Sequence, residues 1–293
     1  MNYIRIADLN IAIDFVDSTI NSIELIPSTE PFRIEKPEGD ILFKLTVDDT
    51  VKSIAKDETE RIGIFDTGNG KITVDRLNNG GYQYLIKDIN EQPCCLLITD
   101  KQFHNCKCAL NGNMINRKFG LNNALMLIFA FAGSYKDTLL IHASLVRNQG
   151  YGYAFIAKSG TGKSTHTSLW MKYIEGCDLM NDDNPIIRFI NGKPWIYGSP
   201  WSGKTPCYRN VKAPLGAITR IDRAKSNSIE LLNPIEAFAS LLPSCSHMKW
   251  DHNIHNKICD TITRIIETTK IYTLHCLPNE EAAKICHKTI LKK

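Results

Sequence analysis

Eight residues constrain this chain more than any others: Ala157-Lys-Ser-Gly-Thr-Gly-Lys-Ser164. They match the Walker A pattern with alanine at its first position. The apolar run Tyr153–Ile156 leads straight into them, and a helical pattern with Leu169, Trp170 and Tyr173 on one side leads out. Gly160 and Gly162 allow the backbone to curl so that successive N–H groups point at one centre, which makes an anion nest. A helix starting near Lys163 adds its N-terminal partial positive charge. In such a loop the lysine, here Lys163, reaches the β- and γ-phosphates, and the hydroxyl, here Ser164, ligates Mg²⁺. Ser159, Gly160, Thr161, Gly162, Lys163, Ser164 and Thr165 are therefore the candidate nucleotide-binding residues, with ATP and Mg²⁺ as the expected ligands. A Gly/Ser turn that merely caps a helix is the plain alternative, and the intact strand–loop–helix context argues against it.

The next strand ends in Leu179-Met-Asn-Asp182-Asp183. In an open α/β sheet the loops after strand C-termini meet at the ligand crevice. Two adjacent acids there can divide the work of phosphoryl transfer. One holds Mg²⁺ directly or through water, and the other accepts the proton of a hydroxyl acceptor. Residue types do not say which acid does which; Asp183 joins Ser164 in the expected metal set. Read alone, Asp182-Asp183-Asn184-Pro185 is an ordinary turn. The loop upstream is what makes a catalytic pair the better reading.

Around these motifs the chain divides in two. Residues 1–120 read as a β-rich domain of unknown role. Ile41–Val47, Arg61–Phe65, Lys71–Val74 and Tyr82–Ile86 are short β-branched or aromatic runs, separated by Thr67-Gly-Asn-Gly70 and Asn78-Asn-Gly-Gly81. That spacing predicts an antiparallel meander or sandwich. Residues 121–293 read as the nucleotide-binding, catalytic domain, with the boundary falling between about 115 and 137. The nearly continuous apolar residues of Leu121–Phe131 predict a buried helix. Strands are expected at 138–146 and 151–156, with Asn148-Gln-Gly150 as the turn between them. Further strands are expected at 178–181, 186–190, 195–198, 215–221 and 271–275. Helices are expected at 163–173, 234–242, 253–268 and 279–291. The overall class is α/β, or α+β for the whole chain.

Other classes of function find little support. A net charge of +4 over 293 residues, with no Lys/Arg-rich block, gives no footprint for nucleic acid. The longest apolar run, Ala124–Ala132, falls far short of the roughly 20 residues of a spanning helix. Asp8, Asp14 and Asp17 interrupt any signal-like stretch at the start, so a cytoplasmic location is the expectation. Ten cysteines without a paired Cys-x-x-Cys or His spacing read as reduced, mostly buried thiols.

Two weaker candidates complete the set. His142, in Ile141-His-Ala-Ser144, is either a core histidine or a group at a strand end that touches a phosphate or orients an acid. The loop Tyr197-Gly-Ser-Pro-Trp-Ser-Gly-Lys204 either brings Trp201 and Lys204 to the substrate or is a solvated loop with Trp201 packing underneath. Lys204 or Arg209 can stabilise charge on a transferred phosphoryl group.

Ile141-His-Ala-Ser, Ala157-Lys-Ser-Gly-Thr-Gly-Lys-Ser-Thr and Asn181-Asp-Asp, in that order, resemble the catalytic domain of HPr kinase/phosphorylase. That group shares an unusual P-loop fold with phosphoenolpyruvate carboxykinase. Residues 138–291 fit the order of a histidine-bearing strand, loop strand, helix and Asp-pair strand. The resemblance implies a kinase in which His142 sits beside the phosphates and Lys163 and Ser164 serve triphosphate and metal. Asp182 and Asp183 then supply base and metal contact. The acceptor is a hydroxyl on a protein, a peptide or a small molecule, and self-association is implied because HPr kinases are hexameric. The chain departs from the family after the loop, where it reads Thr165-His-Thr-Ser-Leu-Trp170, and in its β-rich first half. It looks closer to an uncharacterised branch sharing Ser-Gly-Thr-Gly-Lys-Ser-Thr-His and Tyr-Gly-Ser-Pro-Trp-Ser-Gly-Lys. A nucleotide-binding regulatory module without turnover is the alternative.

Overall fold

A computed structural model describes residues 1–292, which form two compact units that divide between Gly133 and Ser134. Helices and mixed sheets make the chain α+β. The division falls after Gly133, within the expected boundary range of about 115 to 137 and later than 120.

The first unit is one nine-stranded sheet and a helix. Its strands are β1 (Asn2–Ile6), β2 (Leu9–Phe15), β3 (Arg33–Ile34), β4 (Ile41–Val47), β5 (Thr59–Asp66), β6 (Gly70–Leu77), β7 (Tyr82–Asp88), β8 (Pro93–Thr99) and β9 (Asn105–Leu110). Strands β5 to β9 form the expected antiparallel meander. The rest differs from expectation: β4 runs parallel to both β2 and β9 and joins the β1–β2 hairpin to the meander. Order across the sheet is β3-β1-β2-β4-β9-β8-β7-β6-β5. Helix α1 (Met114–Ser134) extends the expected 121–131 helix at both ends. Its Gly120 lies where a Cβ would stand 2.6 Å from the Cys94 carbonyl oxygen, so only glycine permits this approach to β8.

The second unit is built on a mixed sheet of nine strands. These are β10 (Thr138–Leu140), β11 (Ala143–Asn148), β12 (Tyr151–Ile156), β13 (Asp178–Asp183), β14 (Ile186–Ile190), β15 (Lys193–Tyr197), β16 (Lys212–Arg223), β17 (Ser228–Leu231) and β18 (Ile271–Cys276). The helices are α2 (Lys163–Tyr173), α3 (Pro234–Leu241), α4 (His252–Thr268) and α5 (Glu280–Ile290). Order along the main path is β10-β14-β15-β16-β12-β11-β13, with β18 added to β16 and β17 to β18. One expectation is corrected here. The run 138–146 is two strands, because the chain changes partners at Ile141-His142. Strand β10 pairs with β14, whereas β11 pairs with β12 and β13. Between them Ile141 N donates to Pro185 O and His142 N to Ser244 O.

Local sequence explains the helices. Asn233 and Glu236 form a capping box with Pro234 at the first helical position of α3. Asp251 and Asn279 cap α4 and α5. Helix α4 buries Ile254, Ile258, Ile262 and Ile265, one stripe at helical spacing. The core includes Val146, Tyr153 and Phe155 of the sheet with Trp170 of α2 and Cys286 and Ile290 of α5.

Strand directions decide where chemistry can gather. Strands β12, β16 and β18 run parallel, and β13 shares their direction because both β12 and β13 are antiparallel to β11. The C-terminal ends of four strands and the N-terminal end of β11 thus share one sheet edge. Ala143, directly after His142, pairs with Ile156 on one side and Asp183 on the other.

Candidate functional site

Strand register alone brings His142, the loop after Ile156 and the Asp182–Asp183 pair together. The loop turns through Gly160 (φ +76°) and Gly162 (φ +127°), conformations open to glycine. Helix α2 starts at Lys163, and the N–H groups of Lys163, Ser164 and Thr165 have no intrahelical acceptors. Lys163 is buried, and its Nζ donates to the carbonyl of Ala157 at 3.2 Å. Burial lowers its pKa, while the charges of Asp183 and Asp182 oppose the shift. Ser159, Gly160, Ser164 and Thr165 are exposed, and Thr161 and Gly162 half-buried.

The two acids occupy different environments, as alternation along a strand requires. Asp182 is 4% exposed. Its Oδ1 accepts from Ser164 Oγ at 2.8 Å and from Ser144 Oγ at 2.7 Å. Ser144 in turn lies 3.0 Å from Thr167 Oγ1, inside the first turns of α2. Asp183 is open to solvent, with a side chain 38% exposed beside His142 at 43%. His142 Nε2 is 3.3 Å from Asp183 Oδ1, and Asn184 Nδ2 donates to Oδ2 at 2.7 Å. His142 is held below its ordinary pKa by burial first and by Lys163 next, against the pull of Asp183 and Asp182. The sequence reading pairs Asp183 with Ser164; in the structure the acid touching Ser164 is Asp182.

Asp183 has φ +144°, a region a non-glycine residue occupies at a cost of about 1–3 kcal/mol. Its surroundings hold it there. Asn184 N donates to Asn181 Oδ1 at 3.0 Å. Asn181 is fully buried and directs its Nδ2 at the Trp201 carbonyl (3.1 Å) and Ser199 Oγ (3.2 Å). Ser202 Oγ and Gly203 N both reach the Asp182 carbonyl. The 197–204 loop is therefore fastened to the strand end that carries the Asp pair, with Trp201 buried and Lys204 exposed.

Arg209 is not at this edge. It donates to Asp178 Oδ2 at 2.6 Å and to the Leu179 carbonyl, and Arg147 donates to the same Asp178. That pairing lies at the start of β13, about 17 Å of extended chain from Asp183. The cation the sequence reading missed is Arg223, at the end of β16. Its Nη2 donates to the Gly160 carbonyl at 2.6 Å and its Nε to the Thr161 carbonyl at 3.0 Å. Only the parallel pairing of β12 with β16 brings it there, and no local motif signals it.

Beside the loop, on the side away from the Asp pair, lies a cleft of about 480 Å³. Thr161, Thr165, His166, Ile221, Arg223 and Leu277 are among the residues that line it. His166 is buried, and its Nε2 accepts from Trp170 Nε1 at 3.0 Å, which puts its proton on Nδ1. Burial lowers its pKa to about 4.

Hard oxygen donors at Ser164 and Asp182 suit a small divalent cation. Among the described residues no group of three His, Cys, Asp or Glu is arranged to hold a metal. Compared with protein-family models and with curated proteins, the chain matches none.

Proposed function

We propose that the chain is an ATP-dependent phosphotransferase acting on a hydroxyl acceptor. One observation carries this reading: at a single sheet edge an anion-binding loop meets one buried acid beside Ser164 and one exposed acid beside His142. A protein that only binds nucleotide has no use for the second acid. Ser164 and Asp182 would hold Mg²⁺, whose chemistry is neutralisation of charge on the phosphoryl oxygens.

The residues then take these parts. The first-turn amides of α2 and Lys163 bind the β- and γ-phosphates. The cleft beside the loop receives the nucleoside, which directs the γ-phosphate toward the β13 side. Asp183, its two oxygens steadied by His142 and Asn184, accepts the proton of the acceptor hydroxyl. The acceptor oxygen bonds to the γ-phosphorus as the bond to the β–γ bridging oxygen breaks, and ADP leaves. Positioning and electrostatics supply most of the catalysis, as in phosphoryl transfer generally.

The test is transfer of label from γ-labelled ATP into a native extract separated into protein and small-molecule fractions. The Asp182→Asn/Asp183→Asn double variant is the control. Label that depends on the wild-type acids supports a kinase, and the labelled fraction identifies the acceptor class. ATP binding without transfer to either fraction would favour a regulatory module.

A further inference from the structure

Arg223 is exposed, sits at the last position of β16, and spends two donors on consecutive carbonyls of the 157–164 loop. A trans peptide unit is planar, with its C=O and the following N–H pointing in opposite directions. Holding the oxygen of Gly160 fixes the N–H of Thr161, and holding the oxygen of Thr161 fixes the N–H of Gly162. Thr161 N is accordingly seated on the Lys158 carbonyl at 3.2 Å, which closes the loop's turn. The Gly162 N–H precedes the first-turn amides of α2. Hydrogen bonds from a cation also polarise these peptide groups and strengthen the opposite N–H as a donor. Gly160 and Gly162 have no Cβ to restrict them, so the fork supplies a restraint that the loop's own sequence lacks.

We infer that Arg223 is a positioning residue for the anion site: it clamps the loop from outside so that its amides are arranged before a phosphate arrives. This rests on the nucleotide-binding reading. It goes beyond that reading by assigning a restraint on the loop to a strand end 63 residues away. The guanidinium acts through its geometry. A lysine at this position keeps the charge but cannot hold two carbonyls in one plane.

The experiment uses the full chain with Arg223→Gln and Arg223→Lys. Two readouts are taken: amide exchange of Thr161 in the free protein, and the Kd for ATP with Mg²⁺ alongside kcat. Both variants are expected to exchange Thr161 at least fivefold faster and to bind ATP about tenfold more weakly. Any fall in kcat should be smaller than the loss of affinity, and the melting temperature should change little. Exchange unchanged in Arg223→Gln would overturn the clamp. Wild-type affinity in Arg223→Lys would overturn it in favour of simple charge. A wild type that fails to bind ATP would instead overturn the nucleotide reading, while the exchange readout still decides the clamp.

Discussion

Ser164 donates its hydroxyl to Asp182 Oδ1 at 2.8 Å, across elements 18 positions apart in the chain. The same oxygen takes a second hydroxyl from Ser144, so two charge-assisted bonds fix one buried carboxylate beside the start of α2. Replacing either member of the Ser164–Asp182 pair should raise the Mg²⁺ concentration needed for half-maximal activity at least tenfold. Ser164→Ala and Asp182→Asn should also combine less than additively, because they share one interaction. Steady-state rates against Mg²⁺ concentration for the two single variants and the double variant check this. Full additivity would separate the two residues.

Asp183 carries both chemistry and backbone strain. Asp183→Asn should lower turnover by about 10²–10⁴, the usual contribution of a general base, with ATP affinity nearly unchanged. At φ +144° glycine is favoured. Asp183→Gly should therefore be more stable than Asp183→Ala by about 1 kcal/mol, after the greater freedom of glycine in the unfolded chain is counted. Urea unfolding of the two inactive variants measures this, and an Ala variant as stable as the Gly variant would remove the strain.

His142 should titrate below its ordinary 6.5 in the free protein. After burial, the largest cause is the charge of Lys163, with Asp183 and Asp182 opposing it. Lys163→Met should raise the midpoint and Asp183→Asn should lower it. NMR of the imidazole carbon resonances in the free variants reads both directions. Shifts of the opposite sign would place His142 in some other environment.

His166 links pH to stability. Its folded pKa of about 4 lies below the ordinary 6.5, so between these values the unfolded chain binds more protons. The stability tied to the neutral ring is complete above pH 6.5 and is lost as pH falls toward 4, by about 3 kcal/mol in all. In His166→Gln an uncharged acceptor remains for Trp170 Nε1, and this acid-dependent loss should shrink. Urea midpoints at pH 7 and pH 5 for both proteins make the comparison.

What the sequence showed of the fold follows from where the signals are local. The stripe of isoleucines in α4 and the capping residues of α3 and α5 lie within single elements. Turns with standard chemistry were also readable, such as Gln149-Gly150 at φ +48° and +81° between β11 and β12. The β1–β2 hairpin was hidden because Ala7 and Asp8 take positive φ where Asn-Gly would have announced the turn. Parallel pairing of β4 with β2 and β9 leaves no local mark. Within the site, the loop and the Asp pair were legible as motifs. Which acid faces Ser164 was not, because adjacent strand residues point to opposite faces and the sequence does not say which face α2 covers. Arg209 was a reasonable cation until its bonds to Asp178 and Leu179 placed it at the far end of β13.

The most direct measurement is chemical unfolding of the wild type and Lys163→Ala with and without saturating ATP and Mg²⁺. Nucleotide at 100 times its Kd should stabilise the wild type by about 2.7 kcal/mol and the variant by little or nothing. No stabilisation of the wild type, or an equal effect in Lys163→Ala, would contradict a triphosphate site in the 157–164 loop.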